Sequence, residues 1–330
     1  MPESILMYVD NHYQLTCVLK DCIFPVELPT QVAWLGWQRF YQLIIYVDHK
    51  GSIWKGSIDW EPFCFEKIQV QVNIAAIFTN VEGSMNFLLD ENKKVWGIGA
   101  NCDCVGTEMR FCDIPVSTKN LENIETISVG YSFALFLQDD GTVWGLGNNR
   151  EGQIGEGPTA KHLPELIKNI PKICQIAACK DSLLLDVDGF VWAAGKNSNG
   201  QLGLGHRKVI EQFTKIEALP LVKDIAAGSK HSTFIDMDNN VWGCGSNKYH
   251  QLGLEENETI LLPQKIPSLS GIVALLNGEE VSFFFDENGI THYCGYFCKC
   301  DIFPIQTLNI AEVKLVSRGM HTKSARKLLL

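Results

Sequence analysis

The stretch Asp140-Gly141-Thr142-Val143-Trp144-Gly145-Leu146-Gly147-Asn148-Asn149-Arg150-Glu151-Gly152-Gln153-Ile154-Gly155 decides the fold, because its parts recur along the chain. Asp188-Gly189-Phe190-Val191-Trp192 leads to Gly195, Asn197 and Gly200-Gln201-Leu202-Gly203. Asp238-Asn239-Asn240-Val241-Trp242 leads to Gly245, Asn247 and Gln251-Leu252-Gly253. Upstream stand Asn92-Lys93-Lys94-Val95-Trp96 and Lys50-Gly51-Ser52-Ile53-Trp54; downstream, Asn288-Gly289-Ile290-Thr291-His292 puts His292 in the Trp place. From Trp96 through Trp144 and Trp192 to Trp242 the intervals are 48, 48 and 50 residues. A fixed period in this range is the mark of a repeat architecture.

Each recurring residue has a physical role. Asp-Gly, Asn-Gly and Asn-Asn pairs supply the positive φ that tight hairpins demand. An apolar strand precedes the turn (Phe133 to Leu137, Phe234 to Met237) and the Val-Trp strand follows it. Gly99, Gly147, Gly195, Gly245 and Gly295 stand three residues past the Trp register, where the chain must bend or closely approach a neighbour. Asn101, Asn149, Asn197 and Asn247 follow, suited to holding a loop through side-chain to backbone hydrogen bonds. A further strand runs into each bend, as in Ile127-Ser128-Val129-Gly130 and Ile225-Ala226-Ala227-Gly228, and a fourth is expected around Phe213 to Ile216.

Four short strands per unit with no helical period between units make a propeller blade. The expected fold is all-β: a seven-bladed β-propeller of four-stranded blades, since seven units of ~47 residues consume the whole chain. A single domain over residues 1–330 follows, its last blade shared between residues 1–20 and 311–330. Val313 to Thr322 resembles Lys223 to Ser232, and Met7 to Tyr13 resembles Ile235 to Val241. Joining the ends in one sheet would leave no free edge strand. The blade of Trp54 is irregular, with Trp34, Trp37 and Phe40 where smaller residues are expected.

The Val-Trp-Gly-Leu-Gly-Asn-Asn-Arg-Glu-Gly-Gln-Ile-Gly run from Val143 to Gly155, its counterparts after Val191 and Val241, and Gly228-Ser229-Lys230-His231-Ser232 resemble the regulator of chromosome condensation repeat. No Trp is followed by Asp, as in WD repeats, and there is no Gly-Gly doublet of the kelch type. The sialidase Asp box is only partly echoed at Asp139 to Trp144, and its Ser and Thr places are not filled. The resemblance implies a seven-bladed propeller. It also implies a protein partner, because family propellers promote nucleotide exchange on the small GTPase Ran or serve as adaptors in ubiquitin-ligase, signalling and chromatin-associated complexes. Exchange needs no covalent chemistry: a protein that binds the nucleotide-free GTPase better than the loaded form lowers nucleotide affinity.

Composition bounds the alternatives. With 38 acidic against 28 basic residues and a net charge of −10, nonspecific nucleic-acid binding lacks its electrostatic basis. No apolar run reaches the roughly 18 residues of a membrane helix. The amino terminus shows no secretory signal or lipidation motif, so the expectation is a soluble intracellular monomer in cytoplasm or nucleus. The twelve cysteines read as free thiols. Cys102, Cys104 and Cys112, and Cys294, Cys298 and Cys300, lack the spacing of a zinc knuckle, so no metal or cofactor is expected. His231, His292 and His321 read as structural, since repeated positions share a stacking role. No phosphate loop or nucleophile elbow is present, so no catalytic residue is assigned.

What does not repeat is left for recognition. The loops after the Trp strands fall on one face, and their charges are expected to bind a partner: Asp103, Glu108, Arg150, Glu151, Asn199, Arg207, Lys208, Lys248, Tyr249, Glu255 and Glu256. Most of these loops are acidic, and the loop after Trp192, with Lys196, His206, Arg207 and Lys208, is the exception. An acidic rim would steer a partner with a basic surface.

Overall fold

A computed structural model describes residues 5–10, 15–19, 22–26, 32–38, 43–48, 50–57, 64–70, 72–80, 85–100, 111–256, 258–297, 300–309 and 313–314. Among them every regular element is a strand, and the strands pair into four-stranded antiparallel sheets of a propeller-like fold. The chain divides into two compact units: Met1–Glu125, His162–Pro164 and Glu312–Gly319, and Thr126–Lys161, Glu165–Ala311 and Met320–Leu330.

The first unit holds β1 (Ile5–Asp10), β2 (Leu15–Leu19) and β3 (Cys22–Val26), then a sheet of β4 (Val32–Gln38), β5 (Leu43–Asp48), β6 (Ile53–Ser57) and β7 (Cys64–Ile68). Next comes a sheet of β8 (Ile74–Thr79), β9 (Asn86–Asp90), β10 (Val95–Ala100) and β11 (Phe111–Ser117). The repeat is most regular in the sheets that follow. They are β12 (Ile124–Val129), β13 (Phe133–Gln138), β14 (Val143–Gly147) and β15 (Lys161–Leu166); then β16 (Ile173–Ala178), β17 (Ser182–Asp186), β18 (Val191–Gly195) and β19 (Ile210–Lys215). Two more complete the second unit: β20 (Val222–Ala227), β21 (His231–Asp236), β22 (Val241–Ser246) and β23 (Thr259–Lys265); and β24 (Ile272–Asn277), β25 (Val281–Asp286), β26 (Ile290–Phe297) and β27 (Cys300–Asn309). The fourth strand expected from Phe213 begins earlier, at Ile210.

The last strand, β28 (Val313–Lys314), pairs with β1 through Asp10↔Val313 and Val9↔Lys314. Elsewhere the first strand meets the end of the second in the same way: Ile74↔Asp90, Ile173↔Asp186, Val222↔Asp236, Ile272↔Asp286. Asp10 therefore takes the Asp236 place. The resemblance of Met7–Tyr13 to Ile235–Val241 is two residues out of register, because it aligned Tyr8 with that aspartate.

That aspartate fixes the turn. Asp236 Oδ1 accepts the backbone N–H groups of Asp238 at 3.0 Å and Asn240 at 2.8 Å, while the Trp242 indole N–H donates to Oδ2 at 2.8 Å. Asp48 with Trp54, Asp90 with Trp96 and Asp186 with Trp192 repeat the arrangement at 3.0, 3.0 and 2.9 Å. His292 keeps it with Asp286, its Nε2 lying 3.2 Å from Oδ2. In the sheet of Trp144 the two tasks are divided: Gln138 Oε1 accepts the indole N–H at 2.8 Å and Asp140 Oδ1 accepts the Thr142 N–H at 2.9 Å. Only one turn residue has positive φ, Gly141, Gly189, Asn239 or Gly289, so these are three-residue turns closed by a left-handed residue. Met237, expected within a strand, lies past Asp236 in the turn and is exposed.

The core of the second unit forms where consecutive sheets face each other. Leu183, Leu185, Val191 and Ala193 pack with Val222, Ile225, Phe234 and Cys244. Ile235, Val241 and Ile266 pack with Ile272, Leu275, Phe284 and Cys294. Trp192 and Trp242 lie half-buried against the clusters shared with the preceding sheet. Burying such apolar area at roughly 25 cal/mol per Å² is the main stabilising term.

Candidate functional site

In an antiparallel four-stranded sheet, the first and third connections lie at the same end. Here they touch. Asn148 N–H donates to Ser132 O at 2.8 Å, Ser246 N–H to Lys230 O at 2.8 Å and Tyr296 N–H to Glu280 O at 2.7 Å. Gly245 sits at this crossing with φ +100°, and a Cβ there would lie 2.4 Å from Lys230 O. Both needs anticipated for this glycine, a bend and a close approach, are met.

The loops after Trp144, Trp192 and Trp242 are each built around a buried asparagine, and Asn101 lies outside the described residues. Asn247 Oδ1 accepts the Leu252 N–H at 2.9 Å, and its Nδ2 donates to Leu254 O at 3.0 Å and to Glu256 O. Asn197 accepts from Leu202 N–H at 3.0 Å and donates to His206 O at 2.8 Å and Lys208 O at 3.1 Å. Asn149 accepts from Ile154 N–H at 2.7 Å and donates to Gly157 O. The following sheet then latches each loop: Ser182 Oγ donates to Gln153 O, Ser232 Oγ to Gln201 O at 2.8 Å and Ser282 Oγ to Gln251 O at 2.6 Å. These serines, and the aspartates six residues before Trp54, Trp96, Trp192 and Trp242, recur in the sequence and were missed.

Above these bases the tips differ, and those of the first connections converge. Tyr131, Lys180, Ser229 and Glu279 come from the four successive sheets of the second unit. The Tyr131 hydroxyl lies 3.1 Å from Ser229 Oγ and donates to a Glu279 carboxylate oxygen; Lys180 Nζ stands 4.9 Å from the Tyr131 ring centroid. Beside them, Lys230 and Glu280 form an ion pair at 2.7 Å. Burial and the Glu279 carboxylate raise the Tyr131 pKa, so its hydroxyl keeps its proton. Ser229 Oγ also lies 3.7 Å from Cys179 Sγ, a thiol that burial pushes up to about 12.

The residues chosen from the sequence surround this cluster in part. Asp103 and Glu108 lie outside the described residues. Arg150, Arg207, Lys208, Lys248, Glu255 and Glu256 are exposed on their loops, while Glu151, Asn199 and Tyr249 are half-buried. Glu151 pairs with Lys196 at 3.2 Å, and Asn199 N–H donates to Gln201 Oε1 at 2.8 Å. This end of the second unit is not uniformly acidic. Lys196, Arg207 and Lys208 form one sector, and Glu255, Glu256 and Glu258 a separate one.

The buried polar groups nearby are structural. His231 Nε2 lies 2.9 Å from Ser282 Oγ, which superficially suggests a Ser–His dyad. Ser282 spends its proton on Gln251 O, and burial holds the His231 pKa near 3, so the imidazole is neutral and no base for that hydroxyl. Burial also raises the Asp181 carboxyl, against hydrogen bonds from Asn197 N–H and Gln201. The thiol of Cys294 is pushed up to about 12 by burial, too high for nucleophilic chemistry. Among the described residues no cluster of His, Cys, Asp and Glu could hold a metal ion, and no helix is long and apolar enough to cross a membrane. Cys102, Cys104, Cys298 and His321 lie outside the described residues.

The comparisons with known proteins agree with this geometry. The regulator of chromosome condensation (RCC1) repeat matches residues 140–182, 188–235 and 238–283, and a second form of it matches 124–153 and 222–251. Yeast RCC1 (Prp20), solved bound to Kap60, superposes with a TM-score of 0.66 at 17% identity over 81% of this chain and 70% of its own. A structure of Prp20p from Saccharomyces cerevisiae, described with its binding to Gsp1p and histones, gives 0.67 at 16% identity over 83% and 78%. Human WBSCR16 gives 0.56 at 19% identity over 83% of this chain and 65% of its own. No curated protein matches the chain. The repeat matches fall on the sheets where the aspartate–tryptophan clasp, the loop asparagine and the serine latch recur, and residues 124–182 and 188–283 are built of RCC1 repeats.

Proposed function

We propose that this protein is a seven-bladed propeller, closed through the β28–β1 pairing, that binds a small GTPase and regulates it as a Ran-type exchange factor. One observation carries the reading. The tips that depart from the repeat gather at a single end of the sheets, around Tyr131, Lys180, Ser229 and Glu279, with the charged residues Arg150, Arg207, Lys208, Lys248, Glu255 and Glu256 on the same end. Loops on a rigid scaffold are where binding resides. The similarity to Prp20p, a protein described with its binding to Gsp1p, supports a GTPase as the partner. Exchange follows if this end prefers the nucleotide-free form, with no side-chain chemistry required.

The test is release of a labelled guanine nucleotide from a Ran-type GTPase, with and without the propeller. Acceleration that is lost in Tyr131→Ala supports the reading. A GTPase retained on the immobilised propeller only when magnesium is chelated supports it independently. A partner retained regardless of magnesium, with no acceleration of release, replaces it with the adaptor function.

A further inference from the structure

One sheet of the second unit breaks the pattern at the binding end. All four outer ladders shift register at the glycine, Gly147, Gly195, Gly245 or Gly295, and in the first three the chain then leaves into the asparagine-held loop. In the fourth, the asparagine place two residues after Gly295 is occupied by Phe297, and the ladder continues outward through Tyr296↔Asp301 and Phe297↔Cys300. Strand β27 is accordingly ten residues long. The loop has become a hairpin.

This hairpin joins the neighbouring loop through rings. Tyr296 and Tyr249 have centroids 5.2 Å apart at 39°, and Phe303 stacks on His250 at 4.3 Å and 24°. Tyr296 remains 40% exposed and Phe303 39%. Exposed, pre-positioned aromatic rings are the residues that anchor protein partners. Lys248 Nζ stands 5.1 Å from the Tyr249 centroid, so that ring already accepts an ammonium group. The same loop exposes Glu255, Glu256 and Glu258. On the inner side the strip runs from Tyr296 to Glu280 and its ion partner Lys230.

We infer that the Tyr249–Tyr296 seam and the Glu255–Glu258 loop form the anchor point for a basic segment of the partner protein. A lysine or arginine side chain lies over the rings, and its charge meets the loop carboxylates. The inference rests on the reading that this end of the sheets binds a protein, and it names the chemistry of the partner surface that seats there.

The full chain, titrated into a fluorescently labelled peptide of alternating lysine and serine, tests it against the glutamate–serine counterpart. The lysine peptide binds and the glutamate peptide does not. Tyr249→Ala and Tyr296→Ala each weaken binding by about tenfold at an unchanged melting temperature. Tyr296→Phe stays within about twofold, because the ring face is retained. Replacing Glu255 and Glu256 by Gln weakens binding and flattens its salt dependence. Replacing the exposed Asp188 and Asp238 by Asn at the opposite, hairpin-turn end leaves it unchanged. No binding of the lysine peptide, equal binding of the glutamate peptide, or full affinity in a folded Tyr296→Ala variant overturns the inference. A protein that accelerates nucleotide release yet ignores the lysine peptide loses this inference alone; one that does neither loses the GTPase reading as well.

Discussion

The two ends of the second unit's sheets obey different rules. At the hairpin-turn end the same atoms meet in sheet after sheet: a carboxylate accepts backbone N–H groups and an indole, and even the exceptions, Gln138 and His292, preserve the bond to the preceding or following partner. At the opposite end only the loop bases repeat. The tips are a phenol, an ammonium, a hydroxyl and a carboxylate, and they bond to one another across the sheets. Repetition marks the groups that build the fold, and its loss marks the groups free to recognise something else.

Substitutions sharpen this division. The largest effect is expected at a loop base. Asn247→Ala strands the Leu252 N–H and two carbonyls in a buried site and costs on the order of 3 kcal/mol in urea unfolding. A cost under ~1 kcal/mol would mean that the loop bases are as adaptable as the tips. Asp236→Ala comes next at about 2 kcal/mol, because it releases two turn N–H groups and the indole together. Gln138→Ala serves as its internal comparison and costs about 1 kcal/mol, since Gln138 accepts the indole while Asp140 holds the turn.

Acid separates the ends differently. Burial raises the carboxyls of Asp48, Asp236 and Asp286, but the turn N–H groups and the Trp54, Trp242 or His292 donors outweigh it and leave each below its ordinary value. Their contribution is complete above the ordinary carboxylate range and is lost as pH falls through the lower folded values. Asp224 acts in the opposite sense. It lies on β20, the first strand of its sheet, accepts a hydrogen bond from Gln175 Nε2 at 2.7 Å, and is pushed by burial up to about 7 from an ordinary 3.8. Stability linked to Asp224 is therefore present below pH ~4 and lost as pH rises towards ~7. Melting temperatures of the native protein and Asp224→Asn, compared from pH 3 to 8, isolate this slope: the variant gains on the native protein as pH rises from ~4 to ~7, and both still lose stability in acid. The smallest stability effect is expected at the tips: Tyr131→Phe changes unfolding by about 0.5 kcal/mol while weakening partner binding. A destabilisation comparable to Asp236→Ala would make Tyr131 part of the frame and dissolve the distinction.

Much of the frame was legible because it is local. Asn247 and the Asp238-Asn239 turn act within nine residues of themselves, and Gly245 keeps a fixed distance from Trp242, so spacing alone exposes them. The Asp236–Trp242 clasp is equally local, but a side-chain bond between residues six apart leaves no turn signature of its own. The amino-terminal strands share only sparse residues with the repeat, which is why Asp10 was placed two residues out of register. The Tyr131 cluster could not be read at all. Tyr131 and Glu279 are 148 residues apart, and nothing in either loop signals the other. The same holds for the rings of Tyr249 and Tyr296, whose meeting depends on a hairpin replacing a loop.

The serine latch has a consequence for how such a molecule changes over generations. The loops after Trp144, Trp192 and Trp242 are each gripped at the base by their own asparagine and by a serine of the next sheet, through backbone carbonyls that any residue supplies. Mutations at the tip leave those grips untouched, and even a lengthened tip would start and finish at the same fixed points. The tips can therefore diverge while the stability of the frame is conserved, much as interchangeable tools are mounted in one chuck.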